Sequence, residues 1–145
     1  MYMDNIGIRG VVFIQTLKKQ NGVWRVVYTN KYTNLVTDVG KEILRDSLAS
    51  GSLSAIRFLG IGTGDTTVSS SDTEIEDEIF RAQYDYTATV GTKIYFYFYI
   101  APDEANDTWK NIGLITTDGT LFSHLNCNEV KNSNVAKNVS YYIEF

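Results

Sequence analysis

Lys93-Ile94-Tyr95-Phe96-Tyr97-Phe98-Tyr99-Ile100 is the stretch that decides the fold. Ile94, Phe96, Phe98 and Ile100 fall on one side of an extended chain, and Lys93, Tyr95, Tyr97 and Tyr99 on the other. A two-residue repeat of this kind specifies a strand, because successive side chains of a strand point to opposite faces. The apolar side belongs in a core. The tyrosine side is not ordinary solvent surface: it is either covered by another element or presented as an aromatic contact surface.

The neighbouring segments follow the same logic. Ile8 to Leu17 and Gly22 to Tyr32 are rich in Val, Phe, Tyr and Ile and are joined by Lys18-Lys19-Gln20-Asn21-Gly22, which predicts a hairpin. In its second arm Trp24, Val26 and Tyr28 share a face. Thr37 to Ser50 is the one predicted helix, with Thr37 or Asp38 as cap, Val39, Ile43, Leu44 and Leu48 on one side, and Gly51 as the stop. Ala55 to Ile61 is a short strand running into Gly60-Ile-Gly-Thr-Gly64, a turn or a close backbone approach. Glu74 to Thr89 begins acidic and then alternates, and Pro102 to Lys110 is expected to be a polar loop. Asn111 to Thr117 and Leu121 to Cys127 are strands around the Asp118-Gly119 turn. A polar stretch from Asn128 to Lys137 leads to a last strand, Val139 to Phe145. The expected fold is an all-β antiparallel sandwich or partly closed barrel, with one inserted α-helix at about residues 38–50, forming a single domain over residues 1–145.

Composition agrees with strands. Ten Tyr, seven Phe and two Trp against one Pro suit half-buried pleated surface. A net charge of −4 argues against a phosphate backbone as partner, since such binding needs a clustered basic face. The start of the chain lacks a basic region followed by a continuous apolar run, so no signal peptide is expected. The most apolar segment, around Ile94 to Ala101, is too short to span a bilayer as a helix, so a soluble chain with no membrane partner is expected.

Motifs for chemistry fail one by one. Gly60, Gly62 and Gly64 lead into Asp65 with no Walker lysine, and their spacing misses the dinucleotide fingerprint. His124 is the only histidine and Cys127 the only cysteine, too few for a structural zinc site. On a strand Ser123 and His124 point to opposite faces, and no nucleophile elbow occurs. The cluster Asp72, Glu74, Glu76, Asp77 and Glu78 could offer oxygens to a calcium ion, although EF-hand spacing is absent, or a carboxylate pair to acid/base chemistry; in an extended segment Glu74, Glu76 and Glu78 would share one face, as solvated negative surface or as a docking site for a basic partner. No catalytic residue, cofactor or metal ligand is expected, and the chain reads as a binding protein without enzymatic activity. Its candidate contact residues are Tyr95, Tyr97, Tyr99, Trp109, Glu74, Glu76 and Glu78.

Several segments in order resemble a pattern in small virion structural proteins of tailed bacteriophages and prophages, of the tail-fibre, tail-collar or minor structural type. Asn34-Leu-Val-Thr-Asp-Val-Gly40 with the helix after it is one such segment, and Phe58-Leu-Gly-Ile-Gly-Thr-Gly64 followed by Ser71-Asp-Thr-Glu-Ile-Glu-Asp-Glu-Ile-Phe-Arg81 is another. Glu104-Ala-Asn106 through Asn111-Ile-Gly-Leu114 and the hairpin Asp118-Gly-Thr-Leu-Phe-Ser123 complete it. The chain departs from the pattern at Asp107, Asn111 and Ile115, where the pattern has Gly, Glu and Phe. The resemblance covers about residues 34–125 and implies a virion location, contacts with other virion proteins and copies of itself, and a role in the tail, collar or fibre. A capsid decoration or head-fibre anchoring protein is the alternative within that class. A carbohydrate- or receptor-binding module, stacking ligand on Tyr95, Tyr97, Tyr99, Trp24 or Trp109, is the alternative outside it.

Overall fold

In a computed structural model, residues 7–50 and 55–145 are described; the expectations placed on the amino terminus up to Ile6, and on Gly51 as a helix stop, lie outside them. The strands are β1 (Arg9–Gln20), β2 (Val23–Val36), β3 (Ile56–Gly62), β4 (Glu78–Gln83), β5 (Tyr86–Val90), β6 (Lys93–Ile100), β7 (Asp107–Thr116), β8 (Leu121–Lys131) and β9 (Val135–Glu144). One helix, α1 (Asp38–Ser50), follows β2. All pairings are antiparallel, and the order across the sheet is β4-β3-β7-β8-β2-β1-β9-β6-β5. The sheet curls into a half-barrel, the partly closed form of the expected all-β fold.

Its concave side is the core. The alternation in β6 puts Phe96, Phe98 and Ile100 inside, beside Val12 and Ile14 of β1 and Val139, Tyr141 and Ile143 of β9. Leu59 and Ile61 of β3 and Ile112 and Leu114 of β7 close against them from the other half of the sheet. Each such side chain contributes roughly 1.5–3 kcal/mol through burial. The β1–β2 turn is tighter than the sequence implied. Asn21 and Gly22 alone make it, with φ of 52° and 79°, the conformation a two-residue hairpin demands.

α1 begins where Thr37 accepts the Gly40 N–H on its hydroxyl oxygen at 3.0 Å. The same hydroxyl donates to Leu121 O, tying the helix start to β8. Leu44 packs against the core, but Leu48, expected on the same side of the helix, is 90% exposed.

Two loop expectations are corrected. β7 already starts at Asp107, inside the segment read as a polar loop, and Asn128 to Lys137 is the end of β8, a short turn and the start of β9. Charged and amide residues there read as solvent-facing. Several point inward instead: Glu129, Lys131 and Lys137 are all buried.

Candidate functional site

The outward face of β6 and its neighbours gathers the tyrosines. Register places Tyr97 opposite Tyr86 on one side and Ser140 on the other, and Tyr95 opposite Tyr142. The Tyr86 and Tyr97 rings stack at 4.4 Å with an 18° tilt, and Tyr95 lies parallel to Tyr97 at 5.9 Å. Tyr142 packs at 5.1 Å from Tyr95 and carries the Lys93 ammonium 4.8 Å above its ring. Tyr95 and Tyr97 are half-buried by these neighbours, whereas Tyr99 is 48% and Tyr86 59% exposed. Burial, with the phenols of Tyr86 and Tyr95 close by, pushes the Tyr97 hydroxyl pKa up, so it stays a neutral donor.

A groove of about 350 Å³ opens on this face. Tyr86, Tyr97 and Tyr99 wall it, with Gln15, Asn138 and Ser140 from β1 and β9 alongside. Asp85, in the bend before β5, also borders it. Its carboxylate accepts the Tyr99 N–H at 2.6 Å, and its own N–H donates to Tyr97 O at 2.8 Å. Tyr86, Asn138, Gln15 and Asp85 were not singled out from the sequence. Only the strand register brings them beside Tyr97 and Tyr99.

The acidic segment is built differently from the extended run the sequence suggested. Residues 72–77 lie outside any strand, with a bend at Glu74 and a turn at Glu76 and Asp77; Asp77 has a φ of 51°, and Ile75 points inward onto Ile115 and Leu121. Glu74, Glu76 and Glu78 therefore do not share the face of one strand. Glu76 accepts from the Thr66 N–H and hydroxyl, and Glu78 takes a bidentate pair from Arg81 at 2.7 and 2.8 Å. Gly62 and Gly64 serve this loop by close approach, since a Cβ on either would collide with Glu76.

His124 and Asn111 pin the loop to the outside of the sheet. The Asn111 amide donates to Gly64 O and Glu76 O, so its oxygen is fixed as acceptor for the Glu76 N–H at 3.2 Å and for His124 Nε2 at 2.8 Å. His124 Nδ1 lies 2.8 Å from Asp72 Oδ2. Both ring nitrogens thus have side-chain partners, Asp72 and Asn111. Ser123 points the other way, into the core, where it meets the Tyr141 hydroxyl at 2.7 Å. A shallow opening of about 280 Å³ lies beside Asp72, Glu74, Glu76 and His124. Among the described residues no group of three His, Cys, Asp or Glu is arranged to hold a metal ion.

Trp109 cannot offer a stacking platform. It is fully buried and donates its indole N–H to Ala105 O at 2.8 Å. The preceding turn is clamped by the Lys131 ammonium, which donates to Pro102 O, Asn106 Oδ1 and Asn132 O. Burial, and then the nearby Lys137 charge, push the Lys131 pKa down.

A run of exposed apolar side chains lies on β2. Val23, Trp24, Val26, Val27 and Tyr28 are each between 36% and 51% exposed, so both faces of this strand are open to solvent. β2 pairs with β1 along its length but with β8 only at Leu35 and Val36. Among the described residues no strand pairs with its outer edge from Val23 to Asn34. From Arg9 to Thr37 the chain carries five basic and no acidic residues, while from Asp65 to Asp85 it carries seven acidic and one basic. The two ends of that charge asymmetry sit on different elements.

No protein-family model, no curated protein and no solved structure matches this chain. Among the described residues no helix is long and apolar enough to cross a membrane.

Proposed function

We propose that this chain is a structural subunit of a tailed-phage-like virion, belonging to the tail, collar or fibre region, that works by protein–protein contact and performs no catalysis. The observation that carries the assembly role is the open outer edge of β2, apolar on both faces and flanked by Lys18, Lys19, Arg25 and Lys31. An unpaired edge of that kind is a template for another chain, and proteins that stay monomeric usually block such edges. Its complement is on the same molecule: the acidic Asp65–Asp85 segment, ending in edge strand β4 with Ile79 40% exposed. Two different patches that fit one another give head-to-tail association, which closes into rings when the rotation allows. Opposite potentials steer and register such contacts. The virion setting rests on the motif resemblance between residues 34 and 125, whose loop and turn residues build scaffold, not a substrate site.

Sedimentation velocity tests the assembly role. Oligomers are expected at about 50 mM salt and a shift toward monomer at about 500 mM, because exposed charge pairs are screened over a few ångströms at the higher value. The Lys19→Glu/Arg25→Glu variant is expected to stay monomeric at both. A monomer at low salt, at concentrations up to about 100 μM, a range in which specific contacts register, overturns the self-association reading. Antibody labelling of purified particles tests the setting, and absence of the chain from heads and tails alike overturns it.

A further inference from the structure

We infer that the groove on the tyrosine face is a subsite for one neutral pyranose ring. The inference is independent of how copies of the chain assemble, and it rests on three features of the groove.

The first is its size. At about 350 Å³ it stands near the lower end of small-ligand sites, room for a single sugar ring and its substituents and too little for an extended chain. The second is its walls. Tyr86 uses one ring face on Tyr97, and with 59% of its surface exposed it retains open ring area; Tyr99 is 48% exposed. An aromatic face is electron-rich, so it attracts the polarised C–H bonds that line one side of a pyranose. These rings also lose little freedom on binding, because Tyr86, Tyr97 and Tyr95 already hold one another in a parallel stack.

The third is the polar edge. Gln15 and Asn138 bring amides that are joined by a 3.5 Å bond from Asn138 Nδ2 to Gln15 Oε1 and keep further donor and acceptor positions, Ser140 brings a hydroxyl, and Asp85 brings a carboxylate, of which the Tyr99 N–H uses one acceptor position. Adjacent sugar hydroxyls offer a donor and an acceptor each, which suits amides and a carboxylate in one small space. The same edge selects against the other occupants of aromatic grooves. A proline-rich segment has almost no donors and would strip water from Asp85 and Asn138 without replacing its hydrogen bonds. A nucleotide or an acidic sugar would bring its charge to Asp85, and no Lys, Arg or His lines the groove to offset it.

Saturation-transfer NMR on the full chain tests this, with methyl glucopyranoside, methyl galactopyranoside, N-acetylglucosamine, sialic acid and a proline-rich decapeptide as probes. Transfer to at least one neutral pyranose is expected, with weak affinity as befits one ring. The Kd is expected to rise about tenfold or more in Tyr99→Ala and in Asn138→Ala. Both positions are at the surface, and circular dichroism confirms that each variant remains folded; Asp46→Ala on α1 is expected to bind as the unaltered chain does. The inference is overturned by no transfer to any neutral pyranose at about 20 mM, a concentration that detects even millimolar binding. It is also overturned if Tyr99→Ala and Asn138→Ala both bind undiminished, or if only sialic acid or the peptide binds.

Discussion

Lys137 Nζ on β9 stands 3.0 Å from Glu129 Oε1 on β8, and neither side chain has any exposed surface. The ammonium also donates to the Thr16 hydroxyl at 2.7 Å and lies 5.5 Å from the Tyr28 ring centroid. The other carboxylate oxygen accepts from the Asn30 amide at 2.7 Å and the Tyr32 hydroxyl at 2.5 Å. This network spans the place where β2 parts from β8. Side chains there join the two halves of the half-barrel in place of a backbone ladder.

Such a pair is costly to break from one side, because the remaining charge stays buried without a partner. Lys137→Met is expected to lower unfolding free energy by about 3–5 kcal/mol, read from urea denaturation. Lys137→Met combined with Glu129→Leu is expected to lose clearly less than either single change, since no orphan charge remains. Equal losses in the single and double variants would show that the pair's packing, not its charge, holds the halves together.

The Asn111 amide is the hub for Gly64, Glu76 and His124. Asn111→Leu removes the side-chain partner of the Gly64 carbonyl, the Glu76 N–H and one imidazole nitrogen, while the Glu76 carbonyl keeps the Gly64 N–H. A loss of about 1–3 kcal/mol is expected, the usual result of an unsatisfied buried group. Amide hydrogen exchange should speed up at residues 63–77 before it does in β6 or β9, and uniform acceleration would contradict the pinning role.

How much of this was legible follows from which forces are local. The alternation of Phe96, Phe98 and Ile100 with Tyr95, Tyr97 and Tyr99 is a property of eight consecutive residues, so the strand and its two faces could be read directly. The cap at Thr37 and the Asp118-Gly119 turn are local too. The burial of Glu129, Lys131, Lys137 and Trp109 is not legible locally, because a polar run such as Asn128 to Lys137 and a tryptophan in a polar run both look like loop. Their burial depends on partners as remote as Asn30 and Thr16, which no short pattern discloses. The groove was half legible: Tyr97 and Tyr99 were evident, but Gln15, Asp85 and Asn138 reach them only through the β1–β9–β6 register.

Gly40 offers a test in which helix propensity and packing have opposite signs. Ala is better than Gly inside a helix by about 1 kcal/mol. Here a Cβ would press into Phe122 O, within the contact that anchors α1 to β8. Gly40→Ala is therefore expected to destabilise by about 1–3 kcal/mol, the range for overpacking. A stabilised variant in thermal unfolding would show that α1 can shift off β8 freely.

Cys127 gives the pH dependence its lower limit. Burial, followed by the Glu129 charge, raises its thiol from 9.0 to about 12, and its Sγ donates weakly to Trp109 O at 3.5 Å. Burial likewise pushes up the phenols of Tyr141 and of Tyr32, the latter helped by its hydrogen bond to Glu129. All three groups keep their protons in the folded chain after the unfolded chain has begun to lose them. Their stabilising effect is therefore complete below pH 9 and declines as pH rises from 9 toward about 12. The depressed Lys131 acts in the opposite sense: its buried ammonium is a burden that eases as pH climbs toward the ordinary lysine value, so it offsets part of the decline. Urea midpoints measured from pH 7 to 11 should hold level and then fall, and the fall should begin about one unit later in Cys127→Ala, where the tyrosines titrate first. In the unaltered chain at pH 8 the thiol should react with a disulfide reagent only as fast as the protein unfolds. Rapid modification without urea would place Cys127 at the surface and remove the basis for the alkaline limit.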